Sequence, residues 1–197
     1  PGSGLFTGID GGGPTSLNIY QNTINGNQKT GATGGNFTAI NYAAAASANI
    51  NENEISANTM AGTGIFHGIL GGNTVDVNIF ENNIFGNQKT GNQGYMYLVK
   101  PGISTIDFYD NDIYDNSFPN APGTNDCLIY GYYNNVAATI ENLHDNNIYN
   151  LTIGGANTSI STKIIGIFTN TVSSAIKNIY QNEIYSLSSV SGFVHGI

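Results

Sequence analysis

The stretch VNIFENNIFGNQKTG, residues 77–91, says again almost word for word what LNIYQNTINGNQKTG, residues 17–31, has already said. Working outward from these twins gives a pattern, Asn/Asp-Ile-x-x-Asn-x-Ile, that occurs six times. It runs Asn18 to Ile24, Asn49 to Ile55, Asn78 to Ile84, Asp107 to Ile113, Asn142 to Ile148 and Asn178 to Ile184. Phe108 and Leu143 stand in for the first isoleucine. The inner asparagine (Asn22, Asn53, Asn82, Asn111, Asn146, Asn182) and the closing isoleucine never change. Successive inner asparagines lie 31, 29, 29, 35 and 36 residues apart.

A second anchor sits between the copies: Gly8-Ile9, Ala39-Ile40, Gly68-Ile69, Tyr97-Leu98, Gly131-Tyr132, Gly166-Ile167 and Gly196-Ile197. From its apolar residue to the next inner asparagine is 13, 13, 13, 13, 14 and 15 residues, whereas the return leg varies from 15 to 21. One half of each repeat is fixed in length and the other carries the insertions. A period of this size means a solenoid, a propeller or an array. Asn, Gly, Ile, Tyr and Thr are poor helix formers. The short runs LNIYQ, VNIFE and IDFYD alternate apolar and polar with the period of a strand. Propeller blades need longer repeats, and the fixed leg is too short for two hairpin strands. The expectation is an all-β parallel β-helix of about six coils, 29–36 residues per coil, filling residues 1–197 as one domain. Each coil should hold three short strands. The inner asparagine is expected at the bend, at positive φ, with its amide bonded to the same asparagine one coil on.

These repeats resemble those of the pectate-lyase-like superfamily of right-handed parallel β-helices, and most of all the Asn- and Ile-rich versions in large secreted bacterial surface proteins. The resemblance implies right-handed coiling and an extracellular or cell-surface location in a bacterium. It implies no single activity, because the superfamily includes lyases, hydrolases, phage tailspikes and adhesins. The lyases pair an Arg or Lys base with calcium-binding acids. This chain has no arginine, and Lys29, Lys89, Lys100, Lys163 and Lys177 do not share a register with Glu81 or Asp110. The Gly-His-Gly and Arg-Ile-Lys motifs of the polygalacturonases are missing too.

Composition narrows the partners. Only 9% of residues are charged, against about a quarter in an average protein, and polarity comes instead from 30 asparagines. The net charge of −8 argues against nucleic acid and anionic membranes. No apolar run is long enough to span a bilayer as a helix, and a single cysteine, Cys127, excludes an internal disulfide. The opening Pro1-Gly2-Ser3 reads in part as a cloning remnant. Both ends fall at the same point of the repeat without a polar cap, so the chain reads as a segment of a longer solenoid or filament whose partners are neighbouring coils or modules.

Stacking turns equivalent positions into columns. Before the inner asparagine stand Gln21, Glu52, Glu81, Asp110, Asp145 and Gln181. Glu52, Glu81, Asp110, Asp112 and Asp115 are the candidate ligands of a cation, for which calcium, taking six to eight oxygens, is the natural choice. Otherwise the row is a solvated acidic corner. Two aromatic columns flank it, Tyr20, Phe80, Tyr109 and Tyr180 with His144, and Phe85, Tyr114, Tyr149 and Tyr185. Facing outward, they would stabilise the sheet by stacking or seat a sugar ring or a partner. No catalytic residue is assigned. The leading expectation is a non-enzymatic structural or adhesive module with no cofactor apart from calcium. The alternative is a β-helix that binds or cleaves polysaccharide with the acid row and the longer return legs, Ser117 to Cys127 and Leu151 to Lys163.

Overall fold

The computed structural model describes residues 4–31, 34–44, 46–102, 105–170 and 175–197. Pro1-Gly2-Ser3 lies outside them. The chain winds through four parallel sheets, and no described residue is helical. The first sheet has seven strands, Phe6–Gly12, Phe37–Ala43, Phe66–Gly71, Gly94–Lys100, Cys127–Asn134, Lys163–Thr169 and Phe193–His195. The second comprises Ser16–Tyr20, Ser47–Asn51, Asp76–Phe80, Thr105–Tyr109, Ile140–His144 and Ile176–Tyr180. Three-residue strands build the third: Thr23–Asn25, Glu54–Ser56, Asn83–Phe85, Asp112–Tyr114, Asn147–Tyr149 and Glu183–Tyr185. The fourth holds Gln28–Lys29, Thr59–Met60, Gln88–Lys89, Ser117–Ala121, Thr152–Gly155 and Ser188–Ser189. In every sheet each inner strand pairs with its equivalents one coil before and one coil after, and each end strand with its single neighbour, which is a β-solenoid of about six coils.

Alternation fixes what points inward. Ile19, Ile50, Ile79, Phe108, Leu143 and Ile179 form one interior column, and Ile24, Ile55, Ile84, Ile113, Ile148 and Ile184 another. Together with the apolar column of the first sheet they merge into a single core. Burying one such side chain is worth about 1.5–3 kcal/mol, and because every coil repeats the contribution, the core grows by stacking.

Three expectations are corrected. Each coil has four sheets, not three. The fourth is missed because two-residue strands such as Gln28–Lys29 are too short to show alternation. The left-handed residue of the first corner is not the inner asparagine but the one before it: Gln21, Glu52, Glu81, Asp110, Asp145 and Gln181 have φ of 53–56°. Bending there leaves the asparagine's amide turned inward to bond backbone. Finally, coil four is misaligned by one residue in the sequence. Val99, not Leu98, faces Ile69 and Tyr132, and Leu98 falls in the column of Gly68 and Gly131. The bulkier Tyr97-Leu98 pair hides the Gly-Ile signature.

Candidate functional site

The corner between the second and third sheets is built from the asparagine ladder upward. Asn22, Asn53, Asn82, Asn111 and Asn146 each donate through Nδ2 to Oδ1 of the next, ending on Asn182, over 2.8–3.0 Å. The same Oδ1 also accepts the backbone N–H of the preceding asparagine at 3.1–3.2 Å. Nδ2 further serves backbone carbonyls, as Asn111 does with Ile79 and Tyr109. The buried amides are thus paired, as interior polar groups must be.

A second ladder was missed in the sequence. Asn27, Asn58, Asn87 and Asn116 are bonded in the same way at 2.9–3.0 Å at the corner between the third and fourth sheets. Its signal was present, since each lies five residues after a first-ladder asparagine. It stops at coil four, where Leu151 and Leu187 take over the position. The turn before it is again left-handed, at Gly26, Ala57, Gly86, Asp115, Asn150 and Ser186.

Outside the first ladder, Glu52, Glu81, Asp110 and Asp145 stand exposed in one row. Gln21 at its start donates Nε2 to Glu52 Oε2 at 2.7 Å. The rows beside it are tied by amides: Asn147 donates to Asp112 at 2.8 Å and Asn150 to Asp115 at 3.1 Å. Asp110 and Asp115 therefore occupy different corners. Among the described residues no three of His, Cys, Asp and Glu converge as a metal site requires.

Aromatic stacks flank the row. Phe80, Tyr109, His144 and Tyr180 lie ring on ring with centroids 4.8–5.2 Å apart and planes within 6°. Phe85, Tyr114, Tyr149 and Tyr185 do the same at 4.9–5.0 Å. Tyr20 shares the first column, but Asn51 interrupts it before Phe80. His144 carries Asp145 at 2.8 Å on Nδ1 and Asp107 at 3.3 Å on Nε2. Desolvation, then the nearby carboxylates of Asp107, Glu81 and Asp110, raise the Tyr109 phenol above its ordinary value.

The long return legs lie elsewhere. They join the fourth sheet to the first, while the acid row joins the second to the third. The acid row and the long legs, paired in the alternative reading, are therefore not brought together. The two legs pack on each other: Thr158 N donates to Gly123 O at 2.7 Å, Asn157 Nδ2 to Asn125 O at 2.7 Å, and Ser159 Oγ to Asp126 Oδ1 at 2.5 Å. Beside them is an open cleft of about 410 Å³ lined by Thr63, Ile65, Gln93, Gly94, Tyr95 and Thr124–Asp126. Tyr95, at its rim, is 39% exposed. Behind it, on the outer face of the first sheet, Tyr97, Leu128, Tyr130 and Ile165 form a second buried cluster, with Lys100 Nζ 5.0 Å from the Tyr97 ring.

The titratable interior is sparse. Lys29 and Lys89 of the twin phrases face inward and donate Nζ to Gly34 O at 3.0 Å and Gly62 O at 2.5 Å. Burial lowers Lys89 to about 8 and pushes the Cys127 thiol up to about 11, so the thiol is held protonated. His67, stacked on Tyr97 at 5.7 Å, is lowered to about 4 by burial and by Lys100. Lys177 turns inward onto Glu141, a carboxylate with no exposure that sequence reasoning passed over.

No family model, curated protein or solved structure matches this chain. The solenoid therefore stands on its own register and hydrogen bonds, with no relative behind the pectate-lyase-like or surface-protein resemblance. No helix among the described residues is long and apolar enough to cross a membrane.

Proposed function

We propose that this chain is a non-enzymatic structural or adhesive rod module of a large secreted or cell-surface protein. The observation that carries the proposal is the corner itself. Acid row, aromatic stacks and asparagine ladder all repeat at the spacing of the coils, with ring centroids 4.8–5.2 Å apart. A partner lying along this corner meets a periodic surface, which suits an extended ligand or a neighbouring module better than one reacting bond. Surface glycans and further β-helix coils fit as partners. The test is incubation with a panel of acidic and neutral polysaccharides, with calcium and then with chelator, following new chain ends. The expected result is no turnover. Turnover that Asp110→Asn or Glu81→Gln abolishes would overturn the reading and make the row a catalytic site.

One observation favours a second reading, polysaccharide binding at the cleft beside the long legs. Tyr95 offers an exposed ring there, next to the amides of Gln93 and Asn125 and the carboxylate of Asp126, the mixture of flat apolar and polar groups that a sugar ring requires. Tyr95→Ala should weaken retention on the polysaccharide that the protein binds by tenfold or more. Unchanged retention would dismiss the cleft.

A further inference from the structure

One interior column breaks its own rule. Leu17, Ala48, Val77 and Ile106 point inward from the second sheet in coils one to four, and the next two residues in register are Glu141 and Lys177. Glu141 is fully buried. Its Oε1 accepts from Tyr132 OH at 2.8 Å and from Asn134 Nδ2 at 2.5 Å, and its Oε2 accepts from Thr169 Oγ1 at 2.9 Å and from Lys177 Nζ. Asn134 is 1% exposed, and Val136 N–H donates to its Oδ1 at 3.1 Å. An ion pair placed inside an aliphatic column is poor value as a stabiliser, because desolvation of both charges offsets their attraction.

We propose that Lys177 and Asn134 are joined by an intramolecular isopeptide bond whose formation Glu141 catalyses. The carboxylate holds the amine on one oxygen and the side-chain amide on the other, which confines nucleophile and electrophile to one small space. Glu141 takes a proton from the Lys177 ammonium, leaving a neutral amine. Nζ attacks Cγ of Asn134, and the Val136 N–H stabilises the charge developing on Oδ1. Glu141 delivers the proton to Nδ2 and accepts the one that Nζ sheds. The Cγ–Nδ2 bond breaks, ammonia leaves, and a new Cγ–Nζ amide remains. No electrons are exchanged with any outside group. Burial, which lowers the Lys177 amine below its ordinary value, favours the neutral nucleophile. The product replaces a buried ion pair with a neutral amide and ties the first sheet of coil five to the second sheet of coil six.

The experiment is the intact mass of the purified chain, followed by tryptic mapping. The expected result is a mass short by one ammonia. Trypsin should then fail to cut after Lys177 and should release a branched peptide joining the segment that holds Asn134 to the one that begins at Ile164. Glu141→Gln should lower the bonded fraction at least tenfold. If that variant does not fold, Glu141→Asp, which withdraws the carboxylate by one methylene, should still lower it. A full mass in the folded wild-type chain overturns the proposal. So does an ammonia loss that maps elsewhere, for instance to succinimide at Asn25-Gly26, or a bonded fraction unchanged in the Glu141 variant that folds.

Discussion

The two corners of each coil turn by the same device and are finished differently. Both bend at a left-handed residue and place the next side chain inside the solenoid. At the first corner that side chain is asparagine in all six coils, from Asn22 to Asn182. At the second it is asparagine in four coils and leucine in the last two, Leu151 and Leu187. The change comes after the first of the longer return legs, and Leu151 is fully buried in the main core. A corner can therefore be held by backbone hydrogen bonds through an amide or by apolar packing, provided that the left-handed turn is kept. The ladder is one way of satisfying polar groups that the turn buries, not the cause of the turn.

Substituting within each ladder tests this most severely. Asn111→Leu removes the donor to Ile79 O and Tyr109 O, and the acceptor for Asn82 N and Nδ2, with ladder asparagines on both sides. At about 1–3 kcal/mol for each buried group left unpaired, the expected loss is about 3–5 kcal/mol. Asn116→Leu removes similar bonds but gains a leucine neighbour at 151, so its loss should be smaller by about 1–2 kcal/mol. Urea unfolding of both variants measures the difference, and equal losses would break the comparison.

Acid provides the next largest effect, and it should not distinguish the corners, because neither ladder titrates. His67 is lowered to about 4 in the folded chain from an ordinary 6.5. The unfolded chain therefore takes up the proton first, and stability present above 6.5 falls as the pH drops toward 4. The loss approaches about 3 kcal/mol at 1.36 kcal/mol per pH unit. Melting temperature measured across that window should fall for the wild type and fall less for His67→Gln.

The smallest effect concerns the turn itself. The second corner holds Gly86 at φ 64° and Ala57 at φ 52° in equivalent places. Ala57→Gly should raise stability and Gly86→Ala lower it, each by about 1 kcal/mol. A Cβ at Gly86 meets nothing nearer than Ala57 N at 3.8 Å, so the change reports backbone conformation alone. Opposite signs in thermal melts would sharpen the view that the turn comes before the ladder.

The period, the coil count, the interior isoleucine columns, the first asparagine ladder and the outward aromatic and acidic rows are all legible in the order of residues alone. All of these follow from residue type and spacing, since a parallel register one coil apart copies each position onto its equivalent. Tertiary structure decided the rest. That the bend falls at Glu81 or Asp110 rather than at Asn82 or Asn111 is a matter of backbone dihedrals, which residue identity only biases. The fourth sheet exists because neighbouring coils pair two-residue segments that have no periodicity of their own. Val99 rather than Leu98 pairs with Ile69 and Tyr132, although both are buried, because hydrogen-bond register outweighs the local resemblance. The second ladder was legible from its offset, and Glu141 from an acid at an inward position of IENLH. The repeat itself sets Lys177 beside Glu141, one coil on in register, but only three-dimensional packing puts Asn134, Tyr132 and Thr169 around that carboxylate, because they come from a different sheet, and spacing along the chain does not say which sheet faces meet inside the coil.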